Sequence, residues 1–275
     1  MNRDDAADLA LVGGIAALVG GVAWLLLPRD AAGASLAYAP AATPQEVAVS
    51  QVPMPAFLAA APPAGAARER YFEAAVDAPT WVRIALSPSV SIDVSSDYVT
   101  AQGIRVPLWP STAQRVADRF GAMLPTKRLV DEIWRHATVK IEPHPMNYRP
   151  LAGDDVRVIA QHEAIVDGQI AGRTGLVDGP LKNYIVGRAL TTSAARGKQY
   201  LYGWHRLNGT PIQPVFGGHS SRFSDYAAGT RLVSRTAYLN GQPVTIESLF
   251  ANPQYAPLLY DDGTLTPAAL RYPTT

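Results

Sequence analysis

The first apolar stretch of the chain is continuous rather than periodic. Leu9 to Leu27 carries no charge over 19 residues and is closed by Pro28, Arg29 and Asp30. At 1.5 Å per residue a helix of that length reaches roughly 28 Å, about the hydrocarbon thickness of a bilayer. The apolar region of a cleavable signal peptide is shorter, about 7–15 residues. The run therefore predicts a transmembrane anchor over residues 9–28, behind a short tail at 1–8, with Trp24 at headgroup level. Arg3 and Arg29 nearly balance under the positive-inside rule. Because all the folded sequence follows the span, the N-terminus is assigned to the cytoplasm and the body to the periplasmic, extracytoplasmic side. Residues 29–68 have no sustained period: between Ala31 and Ala67 the only charge is Glu46, and prolines stand at 40, 44, 53, 55, 62 and 63. Such composition predicts a semi-extended linker.

From residue 69 the pattern becomes periodic and predicts one domain, 69–275. Thr80–Leu86 and Val90–Val94 alternate apolar and polar side chains, as half-buried strands do. Ser111 can cap a helix carrying Val116, Phe120, Met123 and Leu124, and Thr126 caps a second with Leu129, Val130, Ile133 and Trp134 on one face. The two form a helical hairpin over 111–137. Asp155–His162, Gln199–Trp204, Thr230–Leu239 and Gln242–Glu247 read as further strands, punctuated by Asp167-Gly168, Asp178-Gly179, Asn208-Gly209 and Asn240-Gly241, dipeptides that supply the positive φ of tight turns. The expected fold is α+β: one helical hairpin against a largely antiparallel sheet.

Composition narrows the chemistry. With 24 Lys+Arg against 23 Asp+Glu in 275 residues, net charge is +1 and there is no basic footprint for nucleic acid. The absence of cysteine excludes disulfides, thiolate metal sites and cysteine nucleophiles. No histidine pair has a standard ligand spacing, so neither a metal nor another cofactor is expected.

Reactive side chains are densest between Tyr200 and Arg231, which hold two of the five histidines. A histidine near a carboxylate and hydroxyls is what hydrolysis or acyl transfer requires, a base poised near neutrality and an acid that orients it. His205, His219 and Asp225 are the candidate catalytic residues, and Tyr202, Trp204, Tyr226 and Arg231 the candidate substrate contacts. Gly217 and Gly218 would let a substrate backbone approach His219. Ser220 and Ser221 lack the Gly-x-Ser-x-Gly elbow of a catalytic serine. Tyr200, Tyr202, Trp204 and Phe216 offer an alternative use of the same stretch, a platform on which sugars stack.

Two resemblances bear on this region. The segments Leu124–Trp134, Tyr202-Gly-Trp-His205, Pro211-Ile-Gln-Pro214 and Asp225–Val233 are similar to a group of bacterial exported proteins without assigned activity, across residues 80–250. Tyr202–His205 and Ala227-Ala228-Gly229-Thr230-Arg231-Leu232 also resemble two parts of the L,D-transpeptidase catalytic domain, whose pattern ends in Ser-His-Gly-Cys-x-Arg. Here Thr230 stands near the cysteine's place and Ala228 where the histidine belongs. The resemblance thus implies a β-rich fold and a groove for peptide or glycan, without the transpeptidase reaction. Together these readings predict a membrane-anchored extracytoplasmic protein acting on the bacterial cell envelope as a hydrolase of peptidoglycan or polysaccharide. The alternative is a non-catalytic wall- or glycan-binding or assembly module.

Overall fold

Strand and turn chemistry are obeyed where the chain is locally unambiguous. In the computed structural model, which describes residues 52–195 and 197–274, the alternating segments form β1 (Trp81–Ala85) and β2 (Val90–Ser95), paired antiparallel with Trp81 opposite Ser95. The strands β12 (Val233–Leu239) and β13 (Gln242–Thr245) follow the same logic. Asn240 and Gly241 join them with φ of 51° and 78°, the two positive values a type I′ hairpin needs. A five-stranded sheet runs β1-β2-β12-β13, with β5 (Ala122–Met123) also on β12.

A second sheet has the order β10-β9-β8-β11, built from β8 (Lys182–Tyr184), β9 (Leu201–His205), β10 (Pro211–Phe216) and β11 (Ala228–Gly229). All its pairings are antiparallel except β8 with β11. Two small ladders complete the strands: antiparallel β3 (Thr100–Ala101) with β4 (Ile104–Arg105), and parallel β6 (Val139–Lys140) with β7 (Val177–Asp178).

The two helices expected over 111–137 are α3 (Pro110–Arg119) and α4 (Lys127–His136). However, β5 runs between them and pairs with β12, so Met123 belongs to a strand and the helices do not follow one another as a simple hairpin. The Thr126 hydroxyl accepts the Leu129 N–H at 3.2 Å and caps α4, whose buried face is Leu129, Val130 and Ile133. Ser111 does not cap α3: Trp109 holds the cap position without a side-chain bond, and Pro110 is the first helical residue. In all, six α-helices occur among the described residues, not one hairpin: also α1 (Ala56–Ala59), α2 (Ala66–Ala74), α5 (Val156–Ile170) and α6 (Ile246–Ala251). The architecture is α+β with mostly antiparallel sheets.

Two expectations need correction. Residues 155–162 are not a strand. Asp155 caps α5 by accepting the Arg157 N–H, and Val158, Ile159, His162, Glu163 and Val166 bury one helical face. Asp167-Gly168 lies inside that helix rather than in a turn. The linker expected through residue 68 ends earlier as well. Phe57 and Leu58 are buried in the same core as Phe72, Ile92 and Leu129, because α1 packs on α5 and this short apolar patch finds a covered surface there. The tail and the expected span, Leu9–Leu27, lie outside the described residues; among the described residues no helix is long and apolar enough to cross a membrane.

Candidate functional site

The β9–β10 hairpin, closed through Asn208-Gly209 with Arg206 N–H on the Thr210 carbonyl, sets the first group of candidate residues. In a regular strand residues 202 and 204 would share a face and 205 would oppose 202. Gly203 and Trp204 instead have φ of 105° and 59°, and for a bulky residue such as Trp this is a backbone outlier. The alternation breaks there. Tyr202 and His205 both reach Asp131 on α4, the hydroxyl donating to Oδ1 at 2.7 Å and the His205 Nε2 lying 3.1 Å from the same oxygen. Trp204 turns into the core, where its indole N–H donates to the Pro180 carbonyl at 2.8 Å.

Asp131 also accepts from Lys127 Nζ at 2.9 Å. Burial alone would raise its pKa, but the hydrogen bonds from His205, Tyr202 and Lys127 outweigh it and hold the carboxyl down at about 2. A shallow depression of about 380 Å³, lined by Trp134, Arg135, Tyr202 and His205, opens over this group. His205 itself is only 3% exposed, with its ring 5.7 Å from that of Trp134. The arrangement is therefore a locked His–Asp–Tyr cluster with no serine or threonine hydroxyl on the imidazole among the described residues.

The other candidates are dispersed. Leu201 pairs with Phe216 while His205 pairs with Pro211, so His219 lies beyond the end of the ladder opposite His205. Four residues of strand at about 3.3 Å each separate those ends by roughly 13 Å. The His219 ring is held between Phe216 and Phe223, with centroids 5.0 and 4.5 Å away. Asp225 accepts from Lys182 Nζ at 2.9 Å, and that ammonium also sits 5.2 Å from the Trp204 ring. Tyr226 is buried on His162, its hydroxyl accepting the Met146 N–H at 2.8 Å.

Arg231 is completely buried. It donates to the Ser95 carbonyl at 2.9 Å and the Val177 carbonyl at 2.6 Å, faces Asp178 at 3.4 Å and lies over the Tyr98 ring. It ties β2 to β7 and has no surface to offer a substrate. The glycines before His219 also have an internal reason. A Cβ on Gly217 would stand 2.5 Å from the Tyr200 ring and one on Gly218 2.3 Å from the Phe216 ring. They make room for the protein's own aromatics.

A larger cleft, about 570 Å³, lies elsewhere and involves none of the predicted catalytic residues. Its size is within the range that takes small ligands, about 300–1,000 Å³. One wall is the α2 face Ala66, Glu69, Arg70 and Glu73, the i, i+3, i+4, i+7 stripe of a helix. The first turn of α3, Tyr272, Lys198 and the pair Ser221-Arg222 complete it. Glu69 accepts the Trp109 N–H at 2.8 Å, and burial raises its pKa against the lowering effect of its hydrogen bonds to Thr112 and Trp109. Glu73 grips Arg115, with its closest contact at 2.6 Å. Ser221 and Arg222 bracket the cleft edge between His219 and Phe223 in sequence. On the same segment Phe216 is 41% and Phe223 39% exposed.

The i, i+4 spacing of Glu69 and Glu73 was present in the sequence just past the expected linker boundary at residue 68, and Asp131 carried no local mark at all. Comparison with known proteins finds no matching family model, no matching curated relative and no matching solved structure.

Proposed function

We propose that this chain is a membrane-anchored extracytoplasmic module that binds a glycan of the bacterial cell envelope, peptidoglycan or another polysaccharide, without cleaving it. The observation that carries the reading is the pair of exposed rings Phe216 and Phe223 around His219, on the same segment of chain as Ser221 and Arg222, which line the 570 Å³ cleft. Exposed rings bury the apolar faces of sugars while nearby polar groups fix their orientation. The alternative of hydrolysis has less support, since it needs His205 and His219 at one scissile bond and they flank opposite ends of the hairpin. The apolar run at residues 9–28 supplies the anchor in this reading, with the N-terminus in the cytoplasm.

The test is to incubate the detergent-solubilised full chain with purified peptidoglycan and with a polysaccharide panel, measuring co-sedimentation and, by mass spectrometry, released products. Binding without new fragments is expected, and it should fall about tenfold or more in the Phe216→Ala/Phe223→Ala variant, each ring contributing on the order of 1 kcal/mol. Fragments released by the wild type and lost in His205→Ala would overturn the binding reading in favour of hydrolysis.

A further inference from the structure

Resting on the binding reading above, we infer that the cleft between α2 and α3 is selective for acidic ligands, glycan segments bearing a carboxylate or phosphate group. Most Arg and Lys side chains among the described residues are tied to a carboxylate or a carbonyl, as in Arg68–Asp154 at 2.6 Å, Arg83–Asp93 at 2.8 Å and Arg105–Glu163 at 2.7 Å. Arg70, Lys198 and Arg222 form no ion pair among the described residues, and all three line this one cleft. The polar contact of Lys198 is a long one, 3.4 Å from its Nζ to the Gly218 carbonyl.

The acids of the cleft do not offset them. Glu73 is already neutralised by Arg115, with contacts between 2.6 and 3.2 Å. Glu69 is buried, its charge disfavoured by desolvation and spent on the Trp109 N–H. Three uncompensated cations around a concave space concentrate a field that favours an anion over its neutral analogue. Two guanidinium groups in the set suit the planar, two-oxygen geometry that carboxylate and phosphate share. The exposed Phe223 ring, next to Arg222 in the chain, gives the sugar carrying that group a place to stack.

The experiment measures binding of the detergent-solubilised full chain to a uronic-acid oligosaccharide, a neutral N-acetylglucosamine oligosaccharide of equal length, and inorganic phosphate alone. The variants are Arg70→Glu/Arg222→Glu and, as a control, Arg149→Glu, which changes an exposed arginine outside the cleft. The acidic oligosaccharide should bind about tenfold or more tightly than the neutral one, compete with phosphate, and weaken steeply with added salt. Arg70→Glu/Arg222→Glu should abolish the preference, and Arg149→Glu should retain it. Equal binding of acidic and neutral oligosaccharides, lost in Phe216→Ala/Phe223→Ala, would overturn the acidic preference while leaving glycan binding in place. Phosphate binding that depends on Arg70 and Arg222, with neither oligosaccharide bound, would support the anion site and overturn the glycan reading. No binding of any probe would overturn both.

Discussion

Replacing Glu163 by Gln should change how stability depends on pH in the mildly acidic range, and the reason is a pair of opposed buried groups adjacent on α5. Burial pushes the Glu163 carboxyl from 4.5 up to about 7, against the pull of Arg105, whose guanidinium lies 2.7 Å away. Burial takes the neighbouring His162 from 6.5 down to about 3, with His144, Arg105 and Lys182 adding to the effect. Its Nε2 has no hydrogen-bond partner among the described residues, as suits a ring kept neutral. The signs are opposite. Between pH 4.5 and 7 the folded Glu163 holds a proton that the unfolded chain releases, so its contribution falls as pH rises. Between pH 6.5 and 3 the unfolded His162 takes a proton that the folded one refuses, so its contribution falls as pH falls.

In the shared window, about pH 4.5 to 6.5, each contributes one proton and a slope of about 1.4 kcal/mol per pH unit, and the two cancel. Glu163→Gln removes one side of that balance. Relative to wild type, the variant should lose about 1.4 kcal/mol of stability per pH unit on acidification, or roughly 2.7 kcal/mol across the window. Urea unfolding of the full chain in detergent at pH 4.5, 5.5 and 6.5, followed by tryptophan fluorescence, reads that difference of slopes. It does so independently of any constant cost of the substitution. Parallel slopes in variant and wild type would refute the reasoning, because they would mean that Arg105 keeps Glu163 ionised throughout.

Two further outcomes check the placement of individual side chains. Arg231→Met should cost about 3–5 kcal/mol in urea unfolding, because it strands Asp178 and the Ser95 and Val177 carbonyls in the core. A loss under about 1 kcal/mol, joined to lost ligand binding, would restore Arg231 as a contact residue. Leu58→Ala should cost about 2–5 kcal/mol, since Leu58 is fully buried against the body. A cost near zero would return residues 52–68 to the linker.

How much of this was legible in the sequence follows from the range of the interactions involved. The hairpin of β12 and β13 is written locally, in alternation and in an Asn240-Gly241 pair whose backbone preference needs no partner. The same holds for α4, where Thr126 and the spacing of Leu129, Val130 and Ile133 suffice. Helix α5 was misread because Val156 to His162 contains β-branched residues in near alternation, and its helical period appears only when Glu163 and Val166 are included. The dispersal of the candidate site residues has a different reason. Clustering in sequence groups Tyr202, Trp204, His205, His219, Asp225, Tyr226 and Arg231, but a strand and its neighbours send adjacent side chains to different places. The break in alternation at Gly203-Trp204 carries Tyr202 and His205 to Asp131, over 70 residues earlier in the chain. No spacing rule encodes that meeting. The cleft cations are subtler still. Arg70, Lys198 and Arg222 look like ordinary surface charges, and what distinguishes them is that three cations without an ion pair among the described residues line one cleft, which only the folded arrangement of α2 and the segments beside β9 and β10 defines. A charge left without a partner, beside others left the same way, is a property of packing, and no local pattern in the sequence announces it.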